Sequence, residues 1–287
     1  MYEAHFGFRE SPFQITPDPR FLFLTQSHRD ALTYLMTGVT ERKGILVLTG
    51  EVGTGKTLMV RTLMERLPED VQTAIVMNAR LTFEQLLYLA LLDFGVPPKS
   101  RSKVDQLITL QEHLLRLRDQ GRTAFLTIDE AQTLTQESLE ELRLLSNLET
   151  TTEKLFQILL VGQPELKATL NQHSLRQLRQ RIPGIFDLSR VPAESVWEYV
   201  EYRIQIASEG RCSGLFNKEA LEGIVSFSKG IPRLINQVCD RALLVAYAWG
   251  ADQVDKVHVH EAIRDLEGGF LGAPRPETLR NNIVRRS

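Results

Sequence analysis

Continuous apolar runs alternate with helical patterns along the first two thirds of this chain. Residues 44–49, Gly-Ile-Leu-Val-Leu-Thr, fit a buried parallel strand that stops at Gly50. Residues 57–67 read as a helix, 71–77 as a second strand, and 83–94 as a helix closed by Gly95 with Pro97 and Pro98 beyond. Val104, Leu107, Ile108, Leu114 and Leu115 recur at helical spacing up to Gly121. Residues 123–128 form a third strand that runs into Asp129-Glu130. Leu139, Leu142, Leu145 and Leu148 share a helix face. Residues 156–161 give a fourth strand ending at Gly162, and 185–188 a fifth. Strands alternating with helices predict a parallel sheet flanked by helices on both faces.

Beyond Pro192 the strand pattern stops. Val196, Tyr199, Val200, Ile204 and Ala207 mark one amphipathic helix, and residues 217–227, 232–249 and 255–266 give three more. The opening 26 residues differ again. Phe6, Phe8, Phe13, Phe21 and Phe23 are interleaved with Pro12, Pro17 and Pro19, which oppose regular helix, so an ordered arm that buries its aromatics is expected. A helix then runs from Ser27, as N-cap, to about Arg42. The expected organisation is an N-terminal arm and helix over 1–43, an α/β domain over 44–191 and an all-helical lid over 192–267. A mobile basic tail over 268–287 carries Arg275, Arg280, Arg285 and Arg286.

Composition narrows the class. Of 287 residues, 43% are apolar and 24% charged, as in ordinary globular proteins. A formal net charge of −2 removes a chain-wide basic footprint for nucleic acid, leaving only local basic faces. Cys212 and Cys239 form no CxxC pair, which argues against a zinc site or disulfide framework. The first residues lack the pattern of a signal peptide. The longest uncharged apolar stretch, 242–251, falls far short of the about 20 residues that span a bilayer. The expectation is a cytoplasmic chain with no direct membrane insertion.

The candidate chemistry sits at the strand ends. Gly50-Glu51-Val52-Gly53-Thr54-Gly55-Lys56-Thr57 matches GxxxxGK[ST] between a strand and a helix, the Walker A P-loop. Its glycines allow a tight turn with inward amides, and the next helix adds its positive end. Lys56 neutralises β and γ phosphates, and Thr57 offers a hydroxyl to Mg²⁺. Asp129 and Glu130 close a buried strand, where an unpaired charge is costly. This Walker B pair suits Mg²⁺ orientation by Asp129 and water polarisation by Glu130; the competing role is a helix N-cap. Gln163, at the tip of the fourth strand, can touch the γ-phosphate or the lytic water, or cap the next helix. Arg176, Arg179 and Arg181 are three arginines within six residues. In ring-forming ATPases an arginine here reaches a neighbour's nucleotide. Arg181 is the first candidate and Arg179 the second; a solvated or nucleic-acid-facing face is the alternative. Arg233 follows Gly230-Ile231-Pro232 at a helix start, where a cation is poorly placed against the dipole, which points to a phosphate partner or else a surface salt bridge. His258 and His260, two apart on a predicted helix, do not share a face.

Several segments carry a resemblance: Phe6-Gly7-Phe8, Pro12-Phe13, Pro17-Asp18-Pro19-Arg20-Phe21, His28-Arg29-Asp30-Ala31-Leu32, the P-loop, Ile128-Asp129-Glu130-Ala131-Gln132, Leu160-Val161-Gly162-Gln163-Pro164, Leu178-Arg179-Gln180-Arg181-Ile182 and Gly230-Ile231-Pro232-Arg233. Together they resemble AAA+ ATPases of the ExeA/GspA family, over residues 1 to about 267. The resemblance implies an AAA+ P-loop fold with a helical lid, and ATP with Mg²⁺. It implies a homo-oligomer, such as a ring, with Arg181 or Arg179 as finger and Arg233 as lid sensor. It also suggests that the arm lies near the adenine. Leu58 stands where the family usually has a second threonine or serine, a packing position beside the nucleotide. Secretion members continue into a membrane span and a peptidoglycan-binding domain. The sequence ends at 287, so a short MshM-like type is expected.

The implied function is ATP-driven assembly of a secretion or type IV pilus system through protein partners, peripheral at the inner membrane at most. Transposition regulators and origin-recognition initiators share this branch, so a nucleic-acid-associated ATPase is the alternative. A third reading is a switch that holds ATP and barely hydrolyses it.

Overall fold

The structure is a computed structural model that describes residues 2–77, 80–148 and 154–268. The elements run α1 (Tyr2–His5), α2 (Gln26–Thr40), β1 (Ile45–Gly50), α3 (Lys56–Arg66), β2 (Val71–Val76), α4 (Phe83–Asp93), α5 (Lys103–Asp119), β3 (Thr123–Ile128), α6 (Gln136–Leu145), β4 (Phe156–Gly162), α7 (Pro164–Leu170), α8 (Arg176–Gln180) and β5 (Ile185–Leu188). Then follow α9 (Val196–Ser208), α10 (Lys218–Ser228), α11 (Pro232–Trp249) and α12 (Lys256–Leu266). Two compact units result. Leu24–Ser189 is one; the chain up to Phe23 together with the chain from Arg190 is the other.

In the first unit the strands lie in the order β2-β3-β4-β1-β5, every pair parallel. Period two explains why β1, β3 and β4 are mostly apolar on both faces, with Thr49, Thr123, Thr127 and Gln157 as their buried polar positions. Ile45, Val47, Leu126, Ile128, Ile158 and Leu160 face one core, shared with Leu86 of α4, Leu114 of α5 and Leu142 of α6. Their neighbours Leu46, Leu48, Phe125, Leu159 and Val161 face a second core, against Leu35 of α2 and Met59 of α3. The edge strands β2 and β5 are only partly buried. At the β2 edge the Ile75 N–H is closed by Asp93 Oδ2 at 2.7 Å, which blunts the edge against pairing.

The second unit buries one stripe of each helix. Val200 and Ile204 of α9, Ile224 of α10, Ile235, Val238 and Leu243 of α11, and Ala262 of α12 meet there. Tyr2, Phe6, Phe8, Phe13 and Phe21 of the arm complete the same core. Arg203, 4% exposed, fastens the arm. Its Nε donates to the Pro12 carbonyl at 2.7 Å and its Nη2 to that of Gln14 at 3.2 Å. Its guanidinium lies 4.7 Å from the Phe21 ring centre, a cation–π contact.

Three expectations change. Residues 1–43 do not stay together: the chain parts at Leu24, because the arm's aromatics find their partners on α9–α12 and α2 finds its own on the sheet. The N-cap of α2 is Thr25, not Ser27; Thr25 Oγ1 accepts from the His28 N–H at 3.3 Å, while Ser27 Oγ accepts from the Ser189 N–H at 3.1 Å. A cap must precede the first turn, and Ser27 already lies within it. Leu148 falls beyond the end of α6 but still packs against the core. The tail expected over 268–287 lies, beyond Gly268, outside the described residues. No described helix is long and apolar enough to cross a membrane.

Candidate nucleotide site

Parallel strands all point their carboxyl ends the same way, so the segments that leave them converge on one edge of the sheet. Thr49 of β1 pairs with Gly162 of β4, and Ile128 of β3 with Leu160 of β4. The P-loop, the Asp129-Glu130 pair and Gln163 therefore share that edge.

The loop is made by what its glycines lack. A Cβ on Gly50 would sit 2.9 Å from Thr54 Oγ1 and 3.0 Å from the Leu188 carbonyl. Gly53 and Gly55 adopt φ of 84° and 97°, the left-handed region. Gly55 is the N-cap of α3 and supplies no side-chain cap, so the helix start is left to an external anion. Lys56, 8% exposed, folds back over the loop. Its Nζ donates to the carbonyls of Gly50 at 2.8 Å and Glu51 at 2.9 Å. Thr54 Oγ1 closes the turn by donating to the Glu51 carbonyl at 2.8 Å. Val52 stands exposed at the tip, and Leu58 is partly buried in the first turn of α3.

Thr57 Oγ1 donates to Asp129 Oδ2 at 3.0 Å, joining positions 72 residues apart. The Glu130 N–H donates to Asp129 Oδ1 at 2.9 Å. Asp129 is 4% exposed, and burial pushes its carboxyl above the usual carboxylate range although both donors pull the other way. A hard divalent cation would relieve that cost, and a carboxylate beside a hydroxyl is the donor set that Mg²⁺ takes. Glu130 is exposed and has φ of 55°. A non-glycine residue there costs about 1–3 kcal/mol, a strain found at functional positions. Neither carboxylate caps α6, whose N-cap is Thr135. Gln163 precedes α7 without a side-chain cap bond, and its Nε2 lies 3.4 Å from Glu130 Oε2.

Residues 39–170 match the family model described as the AAA domain. General secretion pathway protein A of Aeromonas hydrophila is 40% identical over 269 residues, which are 93% of this chain and 49% of that protein. The chain belongs with the ExeA/GspA-like AAA ATPases. It spans about half the length of that curated relative. Among solved structures, Cdc6p from Pyrobaculum aerophilum aligns with TM-score 0.68 at 20% identity, over 92% of this chain and 74% of its own. ORC2 from Aeropyrum pernix, in ADPNP–ADP complexes, aligns with TM-score 0.66 at 17% identity, over 90% and 72%. Thermotoga maritima RuvB, a Holliday junction branch migration motor, aligns with TM-score 0.54 at 18% identity, over 85% and 70%. At these identities the likeness is one of fold, that of AAA+ P-loop NTPases, a nucleotide-binding class.

Arg179 and Arg181 of this ExeA/GspA-like chain lie at the end of α8. Arg179 Nη1 donates to the Ile182 carbonyl at 3.1 Å, which braces the turn after α8. Arg181 is the C-cap of α8, half-buried. Arg233 lies on the other unit, exposed in the first turn of α11. Among the described residues, the Arg181 side chain makes no hydrogen bond or ion pair with any of the site residues.

Two side chains at the site escaped the sequence reading as chemistry. His28 is 3% exposed, and its Nδ1 lies 2.5 Å from Thr25 Oγ1. That oxygen also accepts from the His28 N–H at 3.3 Å. Burial holds the imidazole below its ordinary pKa, against the pull of a hydrogen bond with the Thr54 backbone. His28 shares the buried face of α2 with Ala31, Leu32 and Leu35, so in sequence it looks like one more core position. Gln132 is the other: its Nε2 donates to Glu130 Oε2 at 2.6 Å. Only its position two residues past Glu130 could have drawn attention to it.

Proposed function

We propose that this chain binds ATP with Mg²⁺ and hydrolyses it, and that the hydrolysis drives assembly of a secretion or type IV pilus machine. The observation that carries the reading is the Thr57–Asp129 hydrogen bond beneath a glycine cradle, with Glu130 and Gln163 beside it. In this reading Lys56 exchanges the carbonyls of Gly50 and Glu51 for phosphate oxygens, and the loop amides from Glu51 to Leu58 surround them. Mg²⁺, held by Thr57 and Asp129, would supply charge neutralisation to the phosphates. Glu130 takes the proton of the attacking water, and Gln163 orients that water or the terminal phosphate. Arg181, or in its place Arg179, completes the site of a neighbouring copy in a homo-oligomer, and Arg233 reads the nucleotide as a lid sensor. The 40% identity to general secretion pathway protein A supports protein partners at a secretion system, with the chain cytoplasmic and peripheral at the inner membrane.

Calorimetry with ATP and Mg²⁺, followed by phosphate release, tests this. Lys56→Ala is expected to lose nucleotide binding. Glu130→Gln is expected to bind ATP and lose turnover by on the order of 10²–10⁴-fold. Normal turnover in Glu130→Gln would refute the base assignment, and absence of heat from ATP with the folded wild type would end the reading. Turnover per subunit that rises with protein concentration supports an arginine in trans. DNA binding with a steep salt dependence would move the role toward nucleic acid.

A further inference from the structure

Gln132 lies in the short 3-10 turn Ala131–Thr133, directly after Glu130 leaves β3. Its amide is held at both ends. Oε1 accepts from the Gln163 N–H at 3.0 Å, and Nε2 donates to Glu130 Oε2 at 2.6 Å. The backbone donor decides which end of the amide is oxygen, so the Glu130 carboxylate receives an N–H. Gly162 makes the room: a Cβ there would lie 2.8 Å from Gln132 Oε1 and 2.9 Å from Leu166 Cδ2. The Glu130 carbonyl is pinned as well, by the Thr133 N–H at 3.0 Å and Thr133 Oγ1 at 2.9 Å. The backbone of Glu130 is thereby fixed, and its carboxylate takes a short bond from the Gln132 amide, whose other end is anchored on the tip of β4, beside a longer one from Gln163 Nε2 at 3.4 Å.

We propose that Gln132 is a positioning residue for hydrolysis. It holds the Glu130 carboxylate in direction and ties that direction to the β4 tip, the segment that also carries Gln163. A displacement of Gln163 on contact with a terminal phosphate would pull on Gln132 and re-aim Glu130. An exposed glutamate without this tether keeps its rotamer freedom, and misplacement of a reacting group by about 1 Å can cost on the order of a hundredfold in rate. The inference rests on the hydrolytic role of Glu130 proposed above.

The test measures kcat, KM and calorimetric Kd for ATP in the full chain. Gln132→Ala removes the tether. Gln132→Glu keeps its size and its bond from the Gln163 N–H but offers Glu130 a repelling carboxylate. Gly162→Ala displaces the Gln132 amide without removing a polar group. All three are expected to lower kcat by on the order of ten- to a hundredfold with Kd unchanged; the thermal midpoint should hold in the two Gln132 variants and fall in Gly162→Ala, whose Cβ also meets the buried Leu166. In a Glu130→Gln background, Gln132→Ala should add nothing, because both act through one group. If Gln132→Ala and Gln132→Glu retain kcat within about twofold while Glu130→Gln is inactive, the positioning role is wrong and the hydrolytic reading stands. A fall in ATP affinity that matches the fall in kcat likewise overturns it. A wild type without turnover, or an active Glu130→Gln, defeats the reading of Glu130 instead.

Discussion

In the α/β unit, β1, β3 and β4 are apolar on both sides, and residues one apart serve different cores. In the helical unit each helix offers a single stripe to one core, which is finished by an arm from the far end of the chain. The difference decides where chemistry can sit. A central strand has no free face, so polar work is pushed to its carboxyl end: Gly50 closes β1, Asp129 follows β3 and Gln163 follows β4. The helical unit leaves an outer face of each helix to solvent, and the Arg233 side chain is exposed there. It depends instead on a long-range closure made by Phe13, Phe21 and Arg203.

That contrast can be broken by substitution. Phe13 is 1% exposed in the helical core. Phe13→Ala should destabilise that unit by about 3–5 kcal/mol. Hydrogen exchange should show α9–α12 opening while β1 and β4 keep their protection; equal loss in both would deny that the units hold separate cores. Arg203→Met keeps bulk but strands the Pro12 and Gln14 carbonyls, each at about 1–3 kcal/mol if left without a partner. Denaturant melts of the helical unit should register a smaller loss than for Phe13→Ala.

The α/β unit has its own weak points, at the site. His28→Ala removes the partner of the Thr54 backbone, at a cost of about 1–3 kcal/mol, and should weaken ATP binding with no change in the helical unit. The sign of its pH dependence follows from burial. The folded imidazole resists protonation, whereas the unfolded one takes a proton near its ordinary pKa of about 6.5. Its contribution is present above that pH and fades as pH falls below it, so wild type should lose stability on acidification more steeply than His28→Ala. The smallest expected effect runs the other way. Asp129 is raised by burial, so its ionisation opposes folding at neutral pH. Asp129→Asn should raise the thermal midpoint of the nucleotide-free protein slightly while abolishing Mg²⁺-dependent turnover. A lowered midpoint would mean that the Thr57 and Glu130 hydrogen bonds outweigh the burial cost.

Much of this was legible from local pattern. The runs 44–49, 123–128 and 156–161 announced central strands because two-sided burial demands uncharged, mostly apolar sequence at consecutive positions. Gly53 and Gly55 announced the loop because positive φ leaves few other choices. Residue order along the chain therefore determined the fold class, the P-loop and the placement of Asp129 and Glu130 after a strand: each rests on contacts within a few residues or on a strict period. Tertiary structure alone decided that the arm completes the helical core, that His28 supports Thr54 and that Gln132 holds Glu130. Those are meetings of single polar or aromatic side chains with partners in other elements or across a tight turn. No periodicity records such a meeting, because its energy comes from fit and desolvation at one point in space and not from repetition along the chain.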